Sequence, residues 1–371
     1  MTPGHSSEAN AEANTVAVPG NPPLATDFRS DTVTRPTAAM YERMRTAPLG
    51  DDGLDGDPTV RELETRVAHT LGKAAGLFVP SATMGNLLAV LAQAERQSQV
   101  LMESTAHMLV SERGGATFGG VFYAGIAGTA GAMNLDALEQ ALRSHAPLPT
   151  RLVCVETTHN NAGGAVLPLA HLHAVGEQAR RHGAAVHLDG ARLFNAAVAL
   201  GESAQTVAQA ADTVSLCLSK GLSAPAGAVL AGGAAIIAHA RQLRKMLGGT
   251  QRQVGLIAAA GLEAVETMPA QLARDHAQAQ SLSLALNAIR PALLRASLPQ
   301  TNIVLLDLPP RGPDSAAWAR YLGANGIGVR PWGEHRLRLV THRHIEPAGV
   351  DAAARAFQAA ARALLPDEAA R

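Results

Sequence analysis

Two short stretches near the middle of the chain limit its fold more than any other feature: Ala185-Val-His-Leu-Asp189-Gly-Ala-Arg192 and Val214-Ser-Leu-Cys-Leu-Ser219-Lys220-Gly221. Each is an apolar run of strand length that stops abruptly at ionisable residues followed by glycine. A run with so little polar alternation suits a strand buried on both faces, and such strands belong to parallel sheets covered by helices. In those sheets, residues at the carboxyl ends of neighbouring strands project into the crevice where ligands bind. One run delivers a carboxylate there, and the next delivers a lysine.

The alternation continues on both sides. Strands are expected at Leu77-Phe-Val-Pro80, Gln99-Val-Leu-Met102, Leu152-Val-Cys-Val155 and Ala226-Gly-Ala-Val-Leu-Ala231, with helices from Met84 to about Arg96, Leu169 to His182 and Ala191 to Leu200. Thr59-Val-Arg-Glu62 has the form of a capping box with Thr59 as N-cap, opening a helix carried by Val60, Leu63, Val67 and Leu71 and stopped by Gly72. Beyond Ala270 the pattern changes to a long Ala/Leu/Gln-rich helix, strands at 302–307 and 336–340, and helices at 315–322 and 348–364. The reading is α/β, with a large domain over 27–270 and a smaller α/β domain over 271–371. Residues 1–26, rich in Ala, Ser, Glu, Asn, Gly and Pro, lack the basic and apolar regions of a signal peptide. They are expected to form a solvated, disordered tail.

Composition narrows the function classes. A hydrophobic content of 47% against 17% charged residues supplies a sizeable core. Basic and acidic residues balance at 31 each, which argues against nucleic-acid or acidic-membrane partners. No apolar stretch is long and clean enough to span a bilayer. The two cysteines, Cys154 and Cys217, each fall inside an expected buried strand, so they are read as core residues without a disulfide, in keeping with a cytoplasmic location.

Among residues able to carry chemistry, Lys220 comes first. A lysine ending an apolar strand, one βα unit after Asp189, suits covalent attachment of pyridoxal phosphate. Its amine condenses with the cofactor aldehyde, while a buried aspartate keeps the pyridine nitrogen protonated. The plainer alternative is a surface lysine at a strand end. Arg192, one turn after Asp189, could face the cofactor or a substrate carboxylate, or form a structural pair with the aspartate. Ser81-Ala82-Thr83 opens a helix directly after a strand, where backbone N–H groups can hold a phosphate; Ser219 could assist. Arg241-Gln-Leu-Arg-Lys245 and Arg252 could supply further phosphate charge or simply form a solvated helix face. His107 and His159 are candidates for ring stacking on the cofactor and for acid–base work, and either could instead be structural. His342-Arg-His344 has the look of a metal pair but lacks accompanying carboxylate or thiol ligands, so no metal is expected.

Taken in order, Phe28-Arg-Ser-Asp-Thr-Val-Thr-Arg-Pro36, Gly50-Asp-Asp52, Asp57-Pro-Thr59, Met84-Gly-Asn86, Ala106-His107, Glu156-Thr-Thr-His-Asn160, the Asp189 and Lys220 motifs, Arg244-Lys-Met-Leu-Gly-Gly249 and Leu337-Arg-Leu-Val-Thr-His342 resemble the pyridoxal-phosphate-dependent L-threonine aldolases. The resemblance implies an aspartate-aminotransferase-like (fold-type I) architecture with a mostly parallel, seven-stranded sheet. It also implies cleavage of L-threonine, L-allo-threonine and related β-hydroxy-α-amino acids to glycine and an aldehyde. By the match, Lys220 bears the cofactor, Asp189 faces the pyridine nitrogen, and Ser81, Ala82, Thr83 and Ser219 lie at the phosphate. Lys245 and Arg252 would reach that phosphate from a neighbouring subunit of a homotetramer or homodimer. Ser30, Arg192 and Arg338 match the carboxylate-binding positions, His107 the ring-stacking histidine and His159 the one near the β-hydroxyl; which histidine is the base stays open. The chain departs from the family at Leu54-Asp55, Ala82 and Ser111, where an aromatic and a glycine, a glycine, and often an aromatic are usual. Another fold-type I lyase or an aminotransferase, and more remotely a non-catalytic cofactor-binding protein, are the rival readings.

Overall fold

The computed structural model describes residues 24–143 and 148–365. The expected tail falls mostly outside them, but its last residues are ordered: Thr26–Asp27 pairs in parallel with Ile327–Gly328.

Seven strands build the main sheet: β1 (Ala75–Val79), β2 (Gln99–Glu103), β3 (Phe122–Ile126), β4 (Thr150–Glu156), β5 (Ala185–Gly190), β6 (Thr213–Cys217) and β7 (Ala228–Gly232). Their order is β1-β7-β6-β5-β4-β2-β3, and only β7 runs antiparallel to its neighbours. The carboxyl ends of β1, β2, β4, β5 and β6 therefore meet along one edge. Every residue of β6 and β7 is buried, as suits strands covered on both faces.

A second sheet follows, fully antiparallel: β8 (Arg295–Ala296), β9 (Ile303–Asp307), β10 (Arg330–Pro331) and β11 (Arg336–Val340), in the order β8-β9-β11-β10. It has its own core, centred on Trp318, Phe357, Leu337 and Leu339. Phe28 belongs to that core, so the segment opening the described residues packs with the second sheet rather than the first. The helix Leu272–Asn287 joins both, placing Leu272 in the first core and Ala279, Leu282 and Leu286 in the second.

The expected capping box is displaced by two residues. Helix Pro58–Thr70 is capped by Asp57, whose carboxylate accepts from the N–H groups of Thr59 (3.0 Å) and Val60 (3.1 Å). Pro58 has the φ of a first helical residue and needs no N–H bond, so the helix starts before Thr59, whose hydroxyl donates to Pro48 O instead. Likewise helix Ala82–Gln93 starts two residues ahead of Met84, because Ser81 caps it by accepting from Met84 N (3.2 Å). Among the described residues, no helix is long and apolar enough to cross a membrane.

Candidate functional site

A cavity of about 320 Å³ opens at the carboxyl edge of the main sheet and is bordered on its other side by the second sheet. Of the sequence-nominated residues, Ser30, Ser81, Ala82, Thr83, His107, Asp189, Arg192, Ser219, Lys220 and Arg338 line it. His159, Lys245 and Arg252 do not.

Asp189 sits on β5, where alternation sends Val186 and Leu188 into the main core and His187 and Asp189 to the other face. The helix Ala82–Gln93 crosses that face closely. A Cβ on Gly85 would come within 2.9 Å of Ser215 Oγ on β6, so only glycine lets the helix lie this near. The next residue, Asn86, is thereby driven into the sheet. Its amide donates to Asp189 Oδ2 (3.0 Å) and Glu112 Oε1 (3.2 Å). Its oxygen, which can only accept, takes a hydrogen from His187 Nε2 (3.0 Å); His187 Nδ1 then accepts from Thr213 Oγ1 (2.9 Å), whose oxygen in turn takes a hydrogen from Gln93 Nε2 (2.8 Å). Burial pushes the His187 imidazole down to about 4, so it stays neutral and holds this tautomer. The other Asp189 oxygen accepts from Ala191 N (3.1 Å). The carboxylate is thus buried, fixed by neutral donors, and without an ion pair among the described residues.

His107 precedes a π-helical turn, Met108–Glu112, that folds Glu112 back beneath its ring. Nδ1 lies 3.0 Å from Glu112 Oε1, a bond that holds the imidazole above its usual 6.5 against the opposing effect of burial. The backbone N–H of His107 donates to Glu156 Oε2, and Asn160 N donates to Glu156 Oε1, both at 2.7 Å. Glu156 therefore ties the His107 segment to the loop after β4. His159, on that loop, is completely buried: Nδ1 accepts from Ala162 N (3.3 Å), and Nε2 stands 3.2 Å from Glu103 Oε2. Its ring packs against the backbone at Gly131, where an added Cβ would lie 2.5 Å from it.

The two arginines differ sharply. Arg192 is held by Asp31 through Nε (2.7 Å) and Nη2 (2.8 Å), a bidentate pair. Burial works against the Asp31 charge, yet Arg192, Lys220 and Arg338 together hold its carboxyl well below the usual range. The structural pairing of Arg192 is thus with Asp31 rather than Asp189. Arg338 comes from β11, where Leu337 and Leu339 face the core and Arg338 the opposite side. It is buried, donates to Asn160 Oδ1 (3.0 Å), leaves Nε unpartnered, and forms no ion pair among the described residues. Its guanidinium lies 4.5 Å over the Trp332 ring. Burial, with Arg192 adding repulsion, pushes its pKa down to about 9.

Lys220 lies three residues beyond the end of β6 rather than on it, in a return that closes through the positive-φ Gly227. The Thr34 hydroxyl anchors it by donating to its carbonyl (2.8 Å). Its side chain has no hydrogen bond or ion pair within the described structure. Near the Ser81–Thr83 turn, the first helical N–H groups have no intrahelical acceptor and border the cavity. The basic run is otherwise engaged: Arg241 pairs with Glu64 and the buried Arg244 with Asp52. Lys245 is exposed, and Arg252 reaches Asp51 at 3.4 Å. Both nitrogens of His342 are used locally, by Asp27 O and His344 N. Within the cavity, ligand atoms of His107, Glu112 and Asp189 lie within 4.8 Å of one another, although His107 and Glu112 are already bonded.

Sequence reasoning gave no role to Asp31, Asn86, Glu112, Asn160 or Trp332. The Gly85-Asn86 pair, a glycine followed by an amide inside a helix expected to pack on the sheet, was the one local signal available. Of the three family departures, Ala82 and Ser111 border the cavity, whereas Leu54 is 79% exposed and away from it.

Comparison with known proteins bears on this geometry. A beta-eliminating lyase family model matches residues 27–309. A probable low-specificity L-threonine aldolase from Arabidopsis thaliana is 42% identical, covering 88% of this chain and 94% of its own. The low specificity L-threonine aldolase of Escherichia coli (strain K12) is 37% identical over 85% of this chain and 93% of its own. A crystal structure of a putative L-allo-threonine aldolase from Listeria monocytogenes EGD-E superposes with a TM-score of 0.76 at 18% identity, covering 91% and 96% of the two chains. By these matches the chain belongs to the beta-eliminating lyase family, among its low-specificity L-threonine aldolases.

Proposed function

We propose that this protein is a pyridoxal-phosphate-dependent carbon–carbon lyase that cleaves L-threonine, L-allo-threonine and related β-hydroxy-α-amino acids to glycine and an aldehyde. One observation carries most weight: among the described residues, the cavity is lined by a Lys220 without a side-chain partner, a buried Asp189 without an ion pair and a buried Arg338 without an ion pair. The residues present fit the cofactor. Asp189 would accept the pyridinium N–H, the Ala82 and Thr83 N–H groups with Ser81 and Ser219 would take the phosphate, and Lys220 would carry the aldehyde carbon. When bound, the cofactor supplies an electron sink for the pair released from the Cα–Cβ bond.

The chain's own residues do the rest. Arg338, helped by Ser30 and the Asp31-braced Arg192, holds the substrate carboxylate and so fixes which Cα bond stands toward the ring. His107 takes the β-hydroxyl proton at Nε2, because Nδ1 is committed to Glu112; that bond raises the basicity of the free nitrogen. What favours His107 over His159 is access. His107 borders the cavity, while His159 is enclosed between Ala162, Glu103 and Gly131 and serves to brace the loop carrying Asn160. Lys245 and Arg252 fit a phosphate role across a subunit interface of a dimer or tetramer. The cavity has no cation of its own at the Ser81 turn, and the neighbouring Met246 is 78% exposed. The two buried, unpaired thiols suit a cytoplasmic location.

The test is direct. Purified holoenzyme given L-threonine yields glycine and acetaldehyde in equal amounts. His107→Asn loses about 10²–10⁴-fold in kcat/KM, whereas His159→Asn loses under about tenfold and mainly lowers thermal stability. Release of a 2-oxo acid in place of acetaldehyde would identify an aminotransferase instead. A concentration-dependent loss of activity on dilution, restored by added cofactor, would support the shared phosphate site; a fully active monomer would remove it.

A further inference from the structure

Beside Arg338 stands a second guanidinium that the cleavage of threonine does not use. Arg330 on β10 is the cross-strand register partner of Arg338 on β11, so two like charges sit directly opposite each other in one ladder. Such a pairing is unfavourable in itself. Both residues border the cavity, and neither meets a carboxylate among the described residues. Trp332 steadies both: the guanidinium carbon of Arg338 lies 4.5 Å from its ring centroid and that of Arg330 5.1 Å. Their proximity is felt electrostatically, since Arg330 adds to the burial and the Arg192 repulsion that depress Arg338. The aromatic face holds the two heads in position without neutralising them. A pair of cations kept together at a ligand cavity at electrostatic cost is relieved by a ligand bearing two anionic groups a few bonds apart.

We propose that Arg330, with Trp332 as its support, is a specificity determinant that directs this site toward β-hydroxy-α-amino dicarboxylic acids. The inference rests on the aldolase reading above and deepens it. Arg338 holds the α-carboxylate, and Arg330 holds a second carboxylate borne on Cβ. The reaction balances without any other reactant. The Cα–Cβ bond breaks, the β-hydroxyl carbon becomes the carbonyl of an oxo acid as its hydroxyl proton leaves, and Cα gains a proton to give glycine. Oxidation at Cβ is matched by reduction at Cα.

The experiment compares kcat/KM for L-threonine, L-allo-threonine and both diastereomers of L-3-hydroxyaspartate, measured on holoenzyme by glycine release. The wild-type protein favours one hydroxyaspartate diastereomer over the better threonine isomer by about tenfold or more, as one added charge-assisted contact at a partly exposed site allows. Arg330→Gln collapses that ratio toward one, mainly through KM for the dicarboxylate, and Arg330→Lys recovers part of it. An exposed position makes both variants compatible with folding. A wild-type ratio near or below one overturns the proposal. So does an Arg330→Gln variant that loses the same factor on all substrates, since Arg330 would then serve the α-carboxylate. Failure of the wild-type protein to cleave either substrate class would instead sink the aldolase reading, and this inference with it.

Discussion

The two walls of the cavity are built on opposite principles. On the main-sheet wall, Asp189, Asn86 and His187 form a closed hydrogen-bond network in which each buried group has found a protein partner. On the second-sheet wall, Arg338 is equally buried but keeps Nε unpartnered and makes no ion pair among the described residues, feeling Asp31 only at a distance. A satisfied network rigidifies its surroundings, whereas an unsatisfied buried charge costs stability until something binds it. The first wall is organised for a resident group that stays through every turnover. The second keeps its hydrogen-bonding capacity for a guest that comes and goes.

That contrast predicts opposite responses to mutation. Arg338→Met removes the proposed anchor of the guest, worth about 2–3 kcal/mol for a charged pair, so KM for L-threonine rises about 30–150-fold. It also removes a buried, partly unsatisfied cation in favour of a side chain of similar length, so the melting temperature of the unliganded protein holds or rises. A clear fall in Tm would show that Arg338 is structurally satisfied and would erase the distinction between the walls. On the other side, Asn86→Ala strips Asp189 of one donor and leaves His187 Nε2–H buried without an acceptor. The expected loss is about 1–3 kcal/mol of stability, read by chemical denaturation, together with weaker retention of the cofactor on dialysis. Unchanged stability would mean that the network is decorative.

His107 and Glu112 lie where the walls meet, and their bond gives a pH signature. Glu112 holds the imidazole above its usual 6.5, and the base must be neutral to accept a proton, so the acid limb of the kcat/KM profile lies above that value. Replacing Glu112 by Gln removes the stabilising charge and moves the limb to lower pH, with a smaller maximal rate. A limb that stays in place in Glu112→Gln would assign it to another group.

How much of this was legible in the sequence follows from how local each feature is. Lys220 and Asp189 announce themselves because each stands at or just past the end of an apolar run, and strand ends converge whatever the rest of the chain does. The cores were legible for the same reason, through runs such as 214–218 and 226–231. Asp31 was not, since its partner Arg192 is 161 positions away and nothing local to Asp31 marks it as buried. Glu112 reaches His107 only because a π-helical turn brings residues five apart together, a geometry without a propensity signal. The roles of His107 and His159 could not be separated by sequence, because both stand in polar loops after apolar strands. Burial separates them, and burial is decided by what packs above each loop. Arg330 and Trp332 gain their position from the register of a short hairpin, which sequence leaves undetermined.

The smallest expected effect concerns an unsatisfied buried carboxyl away from the ligand wall. Asp275, on the helix that joins the two cores, is buried with Oδ2 lacking a partner, and burial pushes its carboxyl up to about 7. In the unfolded chain it ionises near 3.8. Between those values the folded state holds a proton that the unfolded state has released, so the group favours folding as pH falls toward 4 and opposes it as pH rises through 7. His187 and His276 act in the reverse sense: each is depressed by burial to about 4, so the unfolded state takes up protons first as pH drops below about 6.5. Total stability versus pH is therefore a sum of opposing slopes and does not identify Asp275. The difference between wild type and Asp275→Asn does. The variant gains on the order of a few degrees in Tm at pH 8.5, where the wild-type carboxylate is charged and buried, and clearly less at pH 5, where the folded carboxyl is protonated and only the ionisation of the unfolded chain opposes folding. An equal gain at both pH values would show the effect to be one of packing rather than charge. A loss at pH 8.5 would mean that the ionised Asp275 is compensated by its surroundings.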